Sequence, residues 1–249
     1  MTKASISALS LNVNDPEGLA QFYCEFLGMH RLEADDAVAV GYGKDGAVLN
    51  LIQASAPGNY HPGQQDRYWK IAITLPDLDF AHAQLSDRGI SSTTPHQFRD
   101  IAYMSHLADP EGHVIELIQH SFEGNPRTRT GDNTAPLGGG AEIGLITLRT
   151  DNIETDLTEC REALGMRYLS RQAVTDLGFD LYFVGLCDET QPNSDVNAIE
   201  NREWLWQRPY TVLEFQHLLS GSVLTRPKHA TGAACVHIQH TDGTETVFR

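Results

Sequence analysis

Three stretches of the chain share one order of apolar and polar positions. They are "ISALSLNVNDPEGLAQFYCEFLGM" (6–29), "YWKIAITLPDLDFAHAQLSDRGI" (68–90) and "EIGLITLRTDNIETDLTECREALGM" (142–166). Each opens on a run of strand type, passes an Asp or Asn, and continues at helical spacing. Leu19, Phe22, Tyr23 and Phe26 fall at i, i+3, i+4 and i+7, one buried stripe. Leu78, Ala81 and Leu85 repeat the stripe, as do Ile153, Leu157, Cys160 and Leu164. Asp15, Asp77 and Asn152 precede these helices and suit their N-caps. Pro16 suits a first helical position, and Gly28, Gly89 and Gly165 suit the left-handed residue that ends a helix.

Strand-like runs follow each helix: "AVAVGYG" and "AVLNLIQ", then "AYMSHLAD" and "HVIELIQ", then "LYFVGLC" and "TVLEFQH". The repeating unit is therefore β-α-β-β-β, with the middle strand the faintest. The stretch 123–140, "EGNPRTRTGDNTAPLGGG", reads as a linker. The expected layout is a domain of two paired modules at 1–122, the linker, and a C-terminal module with a truncated fourth at 141–249. A lone module leaves a one-sided sheet that needs covering, either by another chain or by the N-terminal domain. The fold class expected is α+β, built of tandem βαβββ modules.

Composition narrows the function. The chain has 249 residues and a formal charge of −15, from 33 acids against 18 bases. That balance argues against nucleic acid or an anionic membrane as partner. "MTKASISALS" lacks the apolar core of a signal peptide, and no run is long enough to span a bilayer. Cys24, Cys160, Cys187 and Cys235 form no CxxC pair and are expected as reduced thiols. A cytoplasmic protein is expected. No P-loop, Rossmann glycine pattern, GxSxG elbow or HExxH occurs.

The pairing of "NVNDPEGLAQFYCEFLGM" with "LADPEGHVIELIQ" resembles the vicinal oxygen chelate superfamily: glyoxalase I, bleomycin-resistance proteins and type I extradiol dioxygenases. "LRTDNIETDLTECREALGM", "DLYFVGL" and "WLWQRPYTVLEFQH" are similar to the first half of glyoxalase I. The resemblance implies mixed sheets that curl into half-barrels around a cavity, the glyoxalase/bleomycin resistance/dihydroxybiphenyl dioxygenase type of fold. In metal-using members it implies a divalent ion held by residues of the first and last strands of the modules, acting as a Lewis acid.

The family's first-strand ligand lies seven residues before the helix cap. Those positions hold Ala8, Lys70, Leu145 and, in the truncated module, Cys235. The last-strand positions hold Asn50, Glu116 and Glu214. Ala8 and Leu145 coordinate nothing, and Lys70 is a cation where a cation would bind. The N-terminal cavity is thus expected to offer Glu116, Asn50 and Lys70. The C-terminal part is expected to offer Glu214 and Cys235, with His237 on the same strand face. The cofactor stays unknown; a divalent metal is open, on an incomplete ligand set.

Two readings attach to Lys70 and Glu116. In one they form a buried ion pair in place of a metal. In the other Lys70 anchors an anionic or carbonyl oxygen and Glu116 is a general base. His106 is the third candidate for proton transfer. His113 and His120 are expected at the surface or at strand ends. Glu214 has a structural reading and a functional one, and His217, His237 and His240 form a loose cluster with it. Tyr60 and His61 sit at the tip of the long loop 56–69, a candidate lid. Trp204, Trp206 and Tyr210 read as core or interface aromatics.

The expected function is an enzyme acting on a small vicinally oxygenated or aromatic molecule, by lyase, isomerase or ring-cleaving chemistry, with a degenerate metal centre. The alternative is a metal-free drug- or metabolite-binding protein of the bleomycin-resistance type; a third is a scaffold dimer without ligand. The expected partners are a small molecule and a second copy in a homodimer.

Overall fold

The computed structural model describes residues 4–33, 37–43, 46–127 and 131–249; three residues of the linker, 128–130, lie outside them. The first module comprises β1 (Ser5–Val13), α1 (Pro16–Leu27), β2 (His30–Leu32), β3 (Val38–Gly41) and β4 (Val48–Gln53). The second comprises β5 (Tyr68–Leu75), α2 (Leu78–Asp87), β6 (His96–Phe98), β7 (Ala102–Ala108) and β8 (Val114–Gln119). The third comprises β9 (Glu142–Thr150), α3 (Ile153–Glu162), β10 (Arg167–Val174), β11 (Phe179–Gly185) and β12 (Val212–Leu218). Helix α4 (Glu200–Trp206) interrupts the third module, and β13 (Ala234–Gln239) with β14 (Glu245–Phe248) forms the remnant of a fourth.

The helix starts follow the sequence. Asp15 accepts from the Gly18 amide, Asp77 from that of Phe80 and Asn152 from that of Thr155. Gly28 ends α1 in the left-handed region, φ 74°.

The modules do not pair in chain order. The strands form a six-stranded sheet, β14-β13-β1-β4-β3-β2, and an eight-stranded sheet, β10-β11-β12-β9-β5-β8-β7-β6. The first module thus joins the C-terminal remnant through β1 and β13. The second joins the third through antiparallel β5 and β9. This corrects the expected N-terminal pair of modules. The open edge of each module is its own first strand, so any two modules can join there, and repeat order does not say which. The second module of the same chain thereby covers the third.

Alternation along the central strands separates two faces. Ile71, Ile73, Ile115, Leu117, Ile146, Leu148, Leu213 and Phe215 point into the main core, beside residues of β1, β4 and α1. The opposite face carries Ala72, Leu145, Ile118, Leu181 and Phe183, packed against Ile101, Leu205 and Trp206. Trp206, on α4, is buried and donates its indole N–H to the Ile101 carbonyl (3.0 Å). It anchors the third module to the second.

The turn "ADPEGH" is a junction. Asp109 accepts from the amides of Glu111 and His113 and from the Tyr23 hydroxyl of α1. Glu111 accepts from the amides of Asn14 and Asp15, just before α1. His113 and His120 adjoin the two ends of β8, as one of the two expected alternatives has it, and both are buried rather than at the surface. The His113 Nδ1 lies 3.0 Å from Asp109 Oδ2, which makes this ring part of the same junction.

Gly144 marks the closest approach between the paired modules. It sits where the β5–β9 register shifts, between Ala72 and Ile73. A Cβ there would lie 2.4 Å from Thr74 Cγ2. Overfilling such a contact costs about 1–3 kcal/mol. Gly144→Val is expected to lower the urea midpoint accordingly; an unchanged midpoint would show that β5 and β9 are not apposed this closely.

Candidate functional site

The site lies on the second face of the eight-stranded sheet. A bulge in β5 sets its centre: Tyr68 opposes Leu148 and Lys70 opposes Thr147, so two steps on β5 match one on β9. Trp69 and Lys70 consequently both reach the cavity on this face, and the ammonium lies 4.4 Å from the Trp69 ring centroid. Thr147 opposes Glu214 on β12, and Glu116 on β8 opposes His106 on β7. Five neighbouring strands thus deliver Glu214, Thr147, Lys70, Glu116 and His106 to one place.

Their contacts are direct. Lys70 Nζ donates to Glu116 Oε2 in a pair almost wholly buried, and lies 3.8 Å from Glu214 Oε2. His106 Nε2 is 3.1 Å from the other Glu116 oxygen. The Thr147 hydroxyl donates to Glu214 Oε2 at 2.6 Å. His106 is the outermost of these groups, with 27% of its side chain exposed.

The two carboxyls diverge electrically. Burial pushes Glu116 up, but the Lys70 ammonium and His106 outweigh it and hold the carboxyl at about 2. Burial raises Glu214 as well; Lys70 opposes this, the Glu116 charge reinforces it, and the net shift is upward. One carboxylate is firmly ionised, and its neighbour holds a proton more readily than an ordinary glutamate.

A cavity of about 100 Å³ opens above this cluster. Its walls are Trp69, Phe98, Met104, Phe179, Phe183 and Trp206. Gln172 of β10 completes the lining, fully buried, with neither amide atom hydrogen-bonded among the described residues. Leaving such groups unpaired costs on the order of 1–3 kcal/mol each. Nothing in the sequence singled out Gln172; a polar residue at an inward position of β10 was the available signal.

The remaining candidates sit elsewhere. Asn50 lies on β4 of the six-stranded sheet, opposite Ser10, and does not join Lys70 and Glu116. Cys235 and His237 are on β13 of that same sheet, so the expected grouping with Glu214 is corrected: Glu214 joins Lys70 instead. The cause is the module pairing, which places the third module beside the second and the remnant beside the first.

Ser10, Cys235 and His237 border a second cavity of about 330 Å³. His237 has its partners in the protein: Ser10 Oγ at 2.7 Å, Cys235 Sγ at 3.7 Å and Glu245 Oε2 at 3.2 Å. This cavity is the larger, but the buried, electrically divergent carboxyls line the smaller one.

Tyr60 is buried rather than at the tip of a lid. It stacks on His113 (4.5 Å between centroids) beneath the Arg226 guanidinium. The neighbouring His61 is exposed, and its carbonyl accepts from Arg226. Neither lines the smaller cavity. Among the described residues, no group of three or more His, Cys, Asp or Glu is arranged to hold a metal ion, and no helix is long and apolar enough to cross a membrane.

Mixed curled sheets built from repeated βαβββ units, with a site on the first and last strands of two joined modules, define a protein of glyoxalase type. The comparisons agree. The Glyoxalase/Bleomycin resistance protein/Dioxygenase superfamily matches residues 5–117. A "Probable lactoylglutathione lyase" of Synechocystis is 31% identical over 125 residues, which cover 45% of this chain and 92% of that protein. A lactoylglutathione lyase of Pseudomonas aeruginosa is 27% identical over 145 residues, covering 46% of this chain and 81% of the relative. In structure, a point variant of glyoxalase I from Zea mays superposes with a TM-score of 0.67 at 16% identity, over 98% of this chain and 93% of that one. The chain belongs to the Glyoxalase/Bleomycin resistance protein/Dioxygenase superfamily.

Glu116→Gln removes one partner of a buried ion pair, a change that costs about 3–5 kcal/mol. The folded-state pKa of Glu116 is depressed, so its contribution is present above the ordinary value of 4.5 and is lost as pH falls towards about 2. The stability gap between wild type and Glu116→Gln, from urea melts, is therefore expected to shrink across that window. A gap independent of pH would contradict the Lys70–Glu116 pairing. Glu214 has the opposite sign: its contribution is present below the ordinary value and lost as pH rises.

Proposed function

We propose that this chain is a metal-independent enzyme of its superfamily, acting by proton transfer on a small, flat, oxygen-bearing molecule bound in the smaller cavity. The observation that carries the reading is the Lys70 ammonium set between the Glu116 and Glu214 carboxyls beneath aromatic walls. By the resemblance, the metal positions of this cavity are Lys70, Glu116, Leu145 and Glu214. Leu145 has no donor atom, and Lys70 brings a fixed positive charge to the centre. Two carboxyls alone fall short of the three or four ligands a divalent ion takes, so these residues do not fit one.

The roles follow from the electrostatics. The Lys70 N–H groups bind and polarise a carbonyl or anionic oxygen of the substrate. A carboxyl held at about 2 is a poor proton acceptor near neutral pH. That shifts the proton-transfer role from Glu116 to Glu214, whose pKa is raised. Glu116 then serves as the counter-ion that keeps Lys70 in place, and His106 borders the cavity beside it. The cavity, about 100 Å³, is small for a glutathione adduct of the kind the two relatives' names refer to, against roughly 300–1,000 Å³ for common ligand sites.

A second reading, binding without turnover, draws on the mostly apolar aromatic lining. The test uses 2-hydroxyacetophenone, a small aromatic with vicinal oxygens. The purified protein is expected to contain no stoichiometric divalent metal and to catalyse exchange of the probe's α-protons in D₂O. Glu214→Gln should slow exchange about 100-fold or more while binding the probe within about threefold of wild type. One metal ion per chain, released by Glu116→Gln, would overturn the metal-independent reading. Binding without exchange would favour the second one.

A further inference from the structure

We infer that Gln172 is a specificity residue, and that the ligand of the smaller cavity carries a hydrogen-bond donor beside an acceptor, the edge of a cyclic amide, at the end facing β10. The inference rests on the cavity reading above and adds the class of molecule. Gln172 is fully buried, lines the cavity, and has neither side-chain oxygen nor nitrogen hydrogen-bonded among the described residues. Its neighbours are engaged elsewhere. Ser170 donates to the Val196 carbonyl, Arg171 pairs with Asp180, and Gln216 accepts from Arg149. The surrounding wall of Leu181, Phe183, Phe179 and Trp206 has one other polar atom, the Trp206 indole N–H, already given to Ile101.

An amide offers two N–H donors and one carbonyl acceptor. Its complement is a group with an acceptor and a donor side by side. This holds whichever way the amide is turned, because both of its atoms are unpaired. Gln172 opposes Leu181 on β11, and Glu214 lies on the next strand, β12. Leu181 in turn opposes Gln216, so two strand spacings and a two-residue offset along β12, together on the order of 12 Å, separate the backbone of Gln172 from that of Glu214. A single flat ring can meet Gln172 with its amide edge and turn an oxygen substituent towards Glu214, on the side where Lys70 lies 3.8 Å from that carboxyl.

The test compares 2-pyridone with N-methyl-2-pyridone, which keeps the carbonyl and loses the N–H, and uses catechol as a reference. Sites built to hydrogen-bond a ligand group discriminate strongly against analogues without it. Wild type is expected to bind 2-pyridone at least tenfold more tightly than its N-methyl analogue. In Gln172→Met, of similar length and without hydrogen-bonding groups, that preference should vanish while catechol affinity stays within threefold. The free Gln172→Met protein should also melt above wild type, because an unpaired buried amide has been removed. A preference that survives in Gln172→Met, or a lowered melting temperature, would overturn the proposal while leaving the Lys70 reading intact. Failure of wild type to bind any of the three, catechol included, would instead overturn the cavity reading and this inference with it.

Discussion

A buried lysine between two buried glutamates is the constraint on which the centre of this molecule depends. Removing ions from water costs several kcal/mol each, even after the surroundings relax. Here the cost is offset by the closeness of the partners. Lys70 has Glu116 against it, the Trp69 ring below and Glu214 within 3.8 Å. Glu116 has His106 on its second oxygen, and Glu214 has the Thr147 hydroxyl. Glu214, Thr147, Lys70, Glu116 and His106 come from five different strands, so the cluster fixes the relative positions of β12, β9, β5, β8 and β7.

The same arrangement links the fold to its chemistry. The bulge in β5 and the junction with β9 bring the second and third modules together, and the cavity forms where their inner faces meet. One positive charge cannot fully compensate two carboxyls. The cluster resolves this by splitting them, Glu116 ionised and Glu214 with a raised pKa. On the proposed reading, that split makes the pair more than an inert replacement for a metal, because the carboxyl with the raised pKa lines a pocket walled by aromatic rings.

Much of the fold was legible in the chain. The Asp15, Asp77 and Asn152 caps, the apolar stripes after them and the βαβββ order follow from local rules of helix ends and periodicity. The contact of Lys70 with Glu116 was also legible, through the family positions on which both fall. Module pairing was not. Every first strand in the chain is apolar and able to join another, so the placement of Glu214 beside Lys70, and of Cys235 and His237 in another sheet, required the strand order itself. Helix α4 was missed because its short "ENREWLW" run lacks a capping side chain, and Trp206 reveals its role only through the long-range bond to Ile101. Gln172 was equally silent, since an unpaired amide is defined by what its neighbours bond to.

The central claim is that an ammonium, held by carboxylates, occupies the middle of the site. Nitrogen-15 NMR of the lysine side chains tests it most directly. The account predicts a Lys70 ammonium resonance protected from solvent exchange, absent in Lys70→Met, and unmoved when zinc, nickel or magnesium is added. A Lys70 resonance that exchanges as freely as a surface lysine, or that shifts stoichiometrically with a divalent ion, would contradict it.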